Sequence, residues 1–149
     1  MTDTVIKYKK LRENGVAPRY ATAFSAGADL YCASEGDIVI PAGERRAVPT
    51  GIAVECDRRD VALLIYARSG LATKHGVSLA NGVGVVDSDY RGEIIVSLIN
   101  NSDREYTVAP GERIAQLVVT PVLRAEYTEA DELSDTERGE GGFGSTGVR

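Results

Sequence analysis

The sequence predicts an all-β fold of the sandwich, jelly-roll or barrel type. Short runs rich in β-branched and aromatic residues recur along the chain, and clusters of glycine, proline, asparagine and aspartate separate them. Only the segment from Ser69 to His75 is a plausible helix. With 149 residues, 43% of them hydrophobic and 26% charged, the chain is expected to form one globular domain with a sizeable core.

The predicted strands follow one another in chain order, each ending in a turn. They cover residues 37–40, 51–56, 61–66, 93–99 and 114–119. The loops 41–45 and 109–113 resemble each other, because both contain proline, glycine, glutamate and arginine. Such Pro-Gly loops are typical of paired hairpin turns.

Strand periodicity fades after Pro121, which predicts a boundary at that residue. Residues 1–121 are expected to form the barrel, and residues 122–149 a linker and a C-terminal arm. The arm begins acidic and ends rich in glycine, a composition typical of mobile chain. Residues 121–137 would span roughly 55 Å if fully extended, enough to reach a site on a neighbouring subunit.

The net charge of −5 is concentrated in the arm. Between Glu126 and Glu140 there are seven acids and one base, whereas the rest of the chain has 15 acids and 16 bases. Because the body carries no excess of lysine and arginine, a nucleic-acid partner is not expected. No apolar run approaches the ~20 residues that cross a bilayer, and the N-terminus lacks the layout of a secretory signal. The sequence therefore predicts a cytoplasmic protein without a membrane partner.

Cysteine and histidine are too sparse to supply the usual catalytic and metal sites. Cys32 and Cys56 are far apart and are expected to be small buried residues rather than a disulfide or a metal site. His75 is the sole histidine, which excludes a histidine-based triad and a multi-histidine zinc site. It is expected at the surface.

Glycine recurs beside isolated polar residues in five short segments, which indicates a site that holds a polyphosphate. Glycine lets backbone N–H groups approach a ligand closely. In a nearly neutral body, bound phosphates need local neutralisation by a few arginines, N–H groups and a divalent cation. The segments are 26–30, 67–71, 81–92, 110–116 and 138–147.

The segment 81–92 carries most of the chemistry. From Gly82 to Val86 no side chain can form a hydrogen bond, so recognition there would use main-chain groups, which suits a small flat base. Asp87 follows as a candidate general base, and Tyr90 offers a flat ring for a sugar. A plain hairpin with a polar turn is the structural alternative. Calcium binding is excluded, because an arginine and a leucine stand where an EF-hand needs oxygen ligands.

Other polar residues stand alone in apolar surroundings. Arg68 can grip phosphate oxygens, while Ser69 either caps the helix or donates to a phosphate, the cap being the simpler interpretation. Asp29 is either a turn residue or a group that orients a metal-bound water. Gln116 lies in a buried pattern and needs a partner.

The tail segment 139–144 formally matches a GxGxxG dinucleotide fingerprint, but no strand precedes it. A strip whose N–H groups wrap phosphates, with Phe143 stacked on a base, fits the composition better. A plain flexible tail is the alternative.

Together the five segments resemble, in order and spacing, the motifs of the trimeric deoxyuridine triphosphate diphosphatases. The resemblance extends from Ala26 to Gly147. It implies a distorted jelly-roll β-barrel with one short helix and a flexible C-terminal arm. It also implies a homotrimer, with three sites between subunits that are each closed by a neighbour's arm. The implied reaction is hydrolysis of dUTP to dUMP and pyrophosphate, with Mg2+ on the triphosphate.

The resemblance also implies a role for individual residues. Asp87 would orient and deprotonate the attacking water, Tyr90 would lie under the deoxyribose, and Asp29 would belong to the water shell of Mg2+. The uracil-reading hairpin would include Asn81, Gly84 and Val86. Contacts to phosphate are implied for Arg68, Ser69, Gly70 and Gln116. Contacts of the arm to phosphate and base are implied for Arg138, Phe143, Gly144, Ser145 and Thr146.

Two alternatives stand beside this interpretation. A dCTP deaminase has the same fold, but the resemblance would place its catalytic glutamate at Ser97. A non-catalytic nucleotide sensor is the other, although every functional position of the five motifs is retained. Ammonia release from dCTP would indicate the deaminase, and binding without pyrophosphate release would indicate the sensor.

Overall fold

The computed structural model describes residues 4–142, and within that range the chain forms twelve strands and one helix. The strands are β1 (Ile6–Lys10), β2 (Arg19–Tyr20), β3 (Ala28–Tyr31), β4 (Ile38–Ile40), β5 (Arg45–Pro49), β6 (Ile52–Cys56), β7 (Val61–Tyr66), β8 (Val77–Leu79), β9 (Gly84–Asp87), β10 (Ile95–Asn100), β11 (Tyr106–Val108) and β12 (Arg113–Pro121). The helix, α1, spans Ser69–His75. The predictions of an all-β fold and a single short helix are therefore confirmed.

Hydrogen bonds divide the strands into four antiparallel sheets. The largest has the order β2-β3-β12-β7-β9, and β5-β10-β8 form the second. The pairs β1–β6 and β4–β11 complete the set. Because most paired strands are distant in sequence, the chain crosses repeatedly from sheet to sheet, as in the predicted jelly roll. Strand β12 lies in the middle of the largest sheet, so residues near its start can meet those of β3 and β7.

One apolar core lies between the sheets; β10 contributes alternate residues to it, whereas β6 and β7 contribute runs of consecutive buried residues. In β10, Val96 and Leu98 are buried, whereas Ile95, the first residue of the strand, is half exposed. Cys32 and Cys56 are buried and free, as predicted. His75 is at the surface, as predicted, with its ring 5.1 Å from that of Tyr106.

The two Pro-Gly loops do not close hairpins, and that expectation was wrong. The loop after β4 leads to β5, and the loop after β11 leads to β12, but in both cases the two strands belong to different sheets. Gly43 and Gly111 have φ of 74° and 79°, a conformation that favours glycine. Because β4 pairs with β11 instead, each loop is a corner at which the chain leaves that two-stranded sheet.

The last strand ends at Pro121, and residues 122–142 contain no helix or strand. In this segment the side chains of Leu123, Tyr127 and Leu133 are at least nine-tenths exposed. Whether the chain divides functionally at Pro121 into barrel and arm stays a prediction. Among residues 4–142, no helix is long and apolar enough to cross a membrane.

Candidate active site

The largest sheet brings together polar residues from three of the predicted segments. Asp29 in β3 pairs with Gln116 in β12, and Gln116 pairs in turn with Tyr66 at the end of β7. Arg68 follows two residues later, directly before α1. Residues separated by up to 87 positions therefore meet at one edge of the sheet, since antiparallel pairing puts the start of β12 beside the end of β7.

Asp29 is a buried carboxylate held between two arginines. Its exposed fraction is 4%. Arg68 Nε lies 3.1 Å from Oδ1, and Arg113 Nη1 lies 3.2 Å from Oδ2. Arg68 also donates from Nη1 to the main-chain oxygen of Arg113 at 3.1 Å. One acid and two arginines leave this group with a net positive charge, which suits an anionic ligand.

Arg113 is a site residue to which sequence reasoning gave no role. It lies in the segment 110–116, but its partnership with Asp29 spans 84 residues. The signal in the sequence was that Arg113 and Gln116 belong to the same predicted segment, 110–116. Asp29 lies inside β3, so the interpretation of Asp29 as a turn residue was wrong.

The expected helix cap at Ser69 is wrong. Arg68 occupies the N-cap position with φ −83° and ψ 129°, and no side chain caps the helix there. Ser69 is already the first helical residue, which turns its hydroxyl away from the cap geometry. Ser69 and Gly70 are both exposed beside the arginine group, which leaves their polar atoms accessible to a ligand.

Gln116 packs closely against the glycine of the first segment. A Cβ placed on Gly27 would lie 3.1 Å from Gln116 Cβ and 3.6 Å from its Cδ. Such a contact is tighter than ordinary van der Waals packing, so a glycine at position 27 leaves the space that the Gln116 side chain needs. The segments 26–30 and 110–116 therefore meet through the pairing of β3 with β12 and through the contact of the Gln116 side chain with Gly27.

The remaining predicted residues lie on the loop from β8 to β9, on β9 itself and on the turn after it. The predicted hairpin is wrong, because β8 pairs with β10 and β9 pairs with β7. Gly84 pairs with Ile65 and Asp87 pairs with Ala62, so β9 runs along the free side of β7. A Cβ on Gly84 would lie 3.1 Å from Ile65 Cβ, which explains the close approach of the two backbones. Asn81 is exposed at the turn before the strand, and Val86 points partly inward.

Asp87 and Tyr90 border one cavity of about 220 Å³. The Tyr90 N–H donates to the main-chain oxygen of Asp87 at 3.1 Å, which fixes the turn between them. The Tyr90 hydroxyl donates to the main-chain oxygen of Glu93 at 3.1 Å. Asp87 is exposed and forms no salt bridge within residues 4–142. Its carboxylate is thus accessible to water.

Within one chain these two groups of residues lie apart. Asp87 sits beside Ala62 near the start of β7, while Arg68 follows its other end. Six residues of extended chain span roughly 20 Å. The structure therefore joins Asp29, Arg68, Arg113 and Gln116 at one place, and Asp87 with Tyr90 at another.

The arm residues are only partly within the described chain. Arg138 is exposed, and its Nε donates to the main-chain oxygen of Gly141 at 2.8 Å. The predicted contacts of Phe143, Gly144, Ser145 and Thr146 lie outside residues 4–142. The roles predicted for these residues stay predictions.

The described side chains contain no ready-made metal cage. Within residues 4–142, no three of the histidine, cysteine and acidic side chains are grouped to hold a metal ion. Mg2+ is often held mainly by the phosphates of its substrate, so an ion carried by a bound triphosphate needs no such cage.

Comparison with known proteins identifies the family to which these residues belong. The family model described as dUTPase matches residues 13–147. The chain belongs to the dUTPase family. The deoxyuridine 5'-triphosphate nucleotidohydrolase of Desulfitobacterium hafniense (strain DSM 10664 / DCB-2) is 50% identical over 131 residues, covering 88% of this chain and 87% of that protein. The Hydrogenobaculum enzyme of the same name is 52% identical over 141 residues, covering 95% and 96%.

Solved structures of dUTPases share the fold. The dUTPase of Staphylococcus bacteriophage 80alpha with dUpNHpp has a TM-score of 0.88 and 27% identity, covering 99% of this chain and 100% of that one. A mutant dUTPase from phage phi11 of S. aureus, which coordinates a structural Mg(II) ion, has a TM-score of 0.78 and 21% identity. It covers 88% of this chain and 99% of its own. The jelly-roll prediction is thereby confirmed.

Proposed function

We propose that Asp87 is the base that deprotonates the attacking water when this dUTPase hydrolyses dUTP to dUMP and pyrophosphate. The observation that carries the proposal is the cavity bordered by Asp87 and Tyr90. It pairs an accessible carboxylate with an aromatic ring on one rigid turn. General-base assistance of this kind contributes about 10²–10⁴-fold to a rate, and positioning and charge stabilisation supply the rest.

The phosphates bind at the arginine group. Arg68 and Arg113 share one counter-charge, Asp29, and so keep positive charge for the triphosphate oxygens. The exposed Ser69 hydroxyl, the Gly70 N–H and the Gln116 amide lie beside them as further donors.

The base and the sugar are recognised on β9 and on the loops at its two ends. Main-chain groups from Gly84 to Val86 pair with the edge of uracil, and Asn81 lies at the turn where it can contact the base. The Tyr90 ring lies under the deoxyribose, where it leaves little room for a 2′-hydroxyl. Asp89 follows Asp87 in the same turn and has no assigned contact with the nucleotide.

Each complete site is formed by two subunits of a homotrimer, and a third part comes from the arm. The roughly 20 Å between Asp87 and Arg68 in one chain supports this assembly, because attack on the α-phosphorus needs both groups near the same phosphate. Arg138 and residues Phe143 to Thr146 of the arm close the site over phosphate and base, which excludes water.

Mg2+ accompanies the triphosphate and, when bound, spreads the negative charge that the reaction redistributes. Asp29 holds Arg68 and Arg113, and the unused lone pairs of its oxygens are the acceptors for a water in the ion's shell. A cytoplasmic location likewise belongs to the proposal. Removing uracil nucleotides from the DNA precursor pool and supplying dUMP for thymidylate synthesis would be the cellular result.

A panel of nucleotides with Mg2+ tests the proposal directly. We expect pyrophosphate and dUMP from dUTP, and far slower reaction with UTP, dTTP and dCTP. Ammonia from dCTP would instead support the deaminase, although Ser97 in β10 offers no carboxylate at the required position. Tight binding of dUTP with no pyrophosphate in a single-turnover assay would support the nucleotide sensor.

A further inference from the structure

The ring of Tyr90 is held in place by Gly92 and Glu93. Its hydroxyl donates to the main-chain oxygen of Glu93 at 3.1 Å. A Cβ on Gly92 would collide with the hydroxyl and with the ring of Tyr90, so the ring lies directly over that glycine. The orientation of the ring therefore depends on where the backbone at residues 92 and 93 is fixed.

Glu93 is fixed by an ion pair that reaches across the chain to residue 12. Arg12 Nε lies 2.9 Å from Oε1 and its Nη2 lies 3.4 Å from Oε2. The Gly51 N–H also donates to Oε1, at 2.9 Å. The Glu93 side chain is 17% exposed, so this forked arrangement is partly shielded from water. The hydrogen bond from Arg12 lowers the pKa of Glu93 and keeps its carboxylate charged at neutral pH.

Both partners of the ion pair stand on a fixed backbone. The Leu11 N–H donates to the Gly51 oxygen at 2.8 Å, and the Arg12 N–H does so at 3.3 Å. The Ile94 N–H donates to Ile52 at 2.9 Å, and the Ile94 oxygen accepts from the Thr50 hydroxyl at 2.6 Å. The carbonyl that receives the Tyr90 hydroxyl therefore lies in a segment held from both sides.

We infer that Arg12 and Glu93 are positioning residues that fix the Tyr90 ring and thereby set the discrimination between deoxyribose and ribose. The inference rests on the proposed function, in which this ring is the platform for the sugar. A flat ring excludes a 2′-hydroxyl only if the ring cannot move away from the sugar. The hydrogen bond from the Tyr90 hydroxyl to the fixed main-chain oxygen of Glu93 prevents that movement.

The experiment measures kcat/KM for dUTP and for UTP in the unmodified protein, in Arg12→Gln, in Glu93→Gln and in the double variant. A preparation that is partly unfolded loses activity toward both substrates equally, so the ratio of the two values reports on site geometry. We expect the dUTP-to-UTP ratio to fall roughly tenfold in each single variant. The double variant should fall no further, because both changes remove one ion pair.

Two controls separate positioning from general destabilisation. Arg46→Gln breaks an ion pair in which Arg46 lies 3.6 Å from Glu44. It is a matched control because the side chains of Arg46 and Arg12 are both 42% exposed. Its ratio should equal that of the unmodified protein. In Tyr90→Phe the link to Glu93 is already lost, so adding Arg12→Gln should lower the ratio no further.

An unchanged ratio in folded Arg12→Gln and Glu93→Gln protein that still hydrolyses dUTP would overturn the inference and leave the proposed function intact. Absence of dUTP hydrolysis by the unmodified protein would contradict the proposed function, and the inference with it. Should Glu93→Gln fail to fold, Arg12→Gln decides alone, since the Arg12 side chain is more exposed than that of Glu93. Arg12→Lys keeps the positive charge but cannot form both guanidinium hydrogen bonds to Glu93, so its dUTP-to-UTP ratio should be intermediate.

Discussion

At the scale of single residues, Asp29 and Asp87 are carboxylates in opposite surroundings, and these surroundings assign their chemistry. Both oxygens of Asp29 accept from arginines, and the residue is buried. Because its oxygens already accept from two arginines, the proposed mechanism gives Asp29 no role as the base. Asp87 is exposed and free of salt bridges within residues 4–142, which supports the proposal that it orients the attacking water and takes its proton.

Asp87→Asn tests this assignment. The amide keeps the shape and polarity of the side chain but cannot take a proton, so nucleotide binding should persist while kcat falls by about 10²–10⁴-fold. Binding is measured by calorimetry with a non-hydrolysable analogue, and kcat by pyrophosphate release. The matched control is Asp89→Asn, which removes an exposed carboxylate from the same turn and should change kcat less than about threefold. A kcat near that of the unmodified protein in Asp87→Asn would refute the base.

A second prediction at this scale concerns pH and Glu93. The hydrogen bond from Arg12 lowers the folded-state pKa of Glu93 below its ordinary value of 4.5. A lowered pKa means that the stabilisation is complete above the unfolded-state value and is lost as pH falls through the folded-state value. The free energy of unfolding should therefore exceed that of Glu93→Gln at neutral pH, and the difference should shrink from about pH 5 downwards. Urea titrations at several pH values measure it.

The control for this pH series is Glu44→Gln. Glu44 forms an exposed pair with Arg46, and such pairs contribute about 0–1 kcal/mol. Its difference from the unmodified protein should stay small at every pH. A Glu93→Gln difference that is equally small, or that grows in acid, would contradict the stabilising role of the Arg12–Glu93 pair.

At the scale of elements, β7 is the part of the fold that both groups of site residues share. It lies between β12 and β9, so its end is beside Gln116 while its start is beside Asp87. Asp29 in β3 forms ion pairs with Arg68, which follows β7, and with Arg113, the first residue of β12. These contacts make the placement of Arg68 and Arg113, the arginines of the proposed phosphate site, depend on strand pairing and on one carboxylate.

Asp29→Asn should therefore damage both stability and catalysis. The amide cannot neutralise Arg68 and Arg113, so we expect a loss of about 1–3 kcal/mol in the free energy of unfolding and a lower kcat/KM for dUTP. Urea unfolding and steady-state kinetics measure the two effects. Asp60→Asn, which breaks an exposed pair with Arg58, is the control for stability and should leave the free energy of unfolding nearly unchanged. Unchanged kcat/KM in Asp29→Asn would argue against phosphate binding at this group.

Sequence reasoning found the elements with local signals and missed those defined by distant partners. Strands such as 61–66 and the helix from Ser69 were predictable, since apolar runs and turn residues mark them. Strand β2 has only two residues, and it exists because it pairs with β3. The same limit applied to the site: motifs identified Asp87, whereas the contact between Arg12 and Glu93 spans 81 residues and leaves no local pattern.

At the scale of the whole molecule, residues 122–142 of the arm expose large apolar side chains that the rest of the described chain does not cover. Leu123, Tyr127 and Leu133 are exposed among residues 122–142, although burying such side chains is favourable by about 1.5–3 kcal/mol for a leucine. A surface on another subunit would bury them. This arrangement accords with an arm that crosses to a neighbour's site.

Deleting residues 138–149 tests the arm. Because these residues follow the barrel, the truncated protein should keep its oligomeric mass and its unfolding midpoint within about 2 °C. Turnover should fall on the order of 100-fold, since the site can no longer be closed. Deleting only 148–149 leaves the last motif intact and should change neither property. Full activity in the longer deletion would remove the arm from the mechanism.

The strongest test of assembly mixes two inactive variants, Asp87→Asn and Arg68→Ala. If one subunit supplies the base and its neighbour the arginine, each variant alone has no intact site. Co-refolded in equal amounts, the two chains should form mixed trimers in which about one quarter of the sites combine an intact Asp87 with an intact Arg68. Pyrophosphate release should therefore recover to about that fraction of the unmodified rate. Were both residues to act from the same chain, no mixture could restore activity, because every chain would carry one defect.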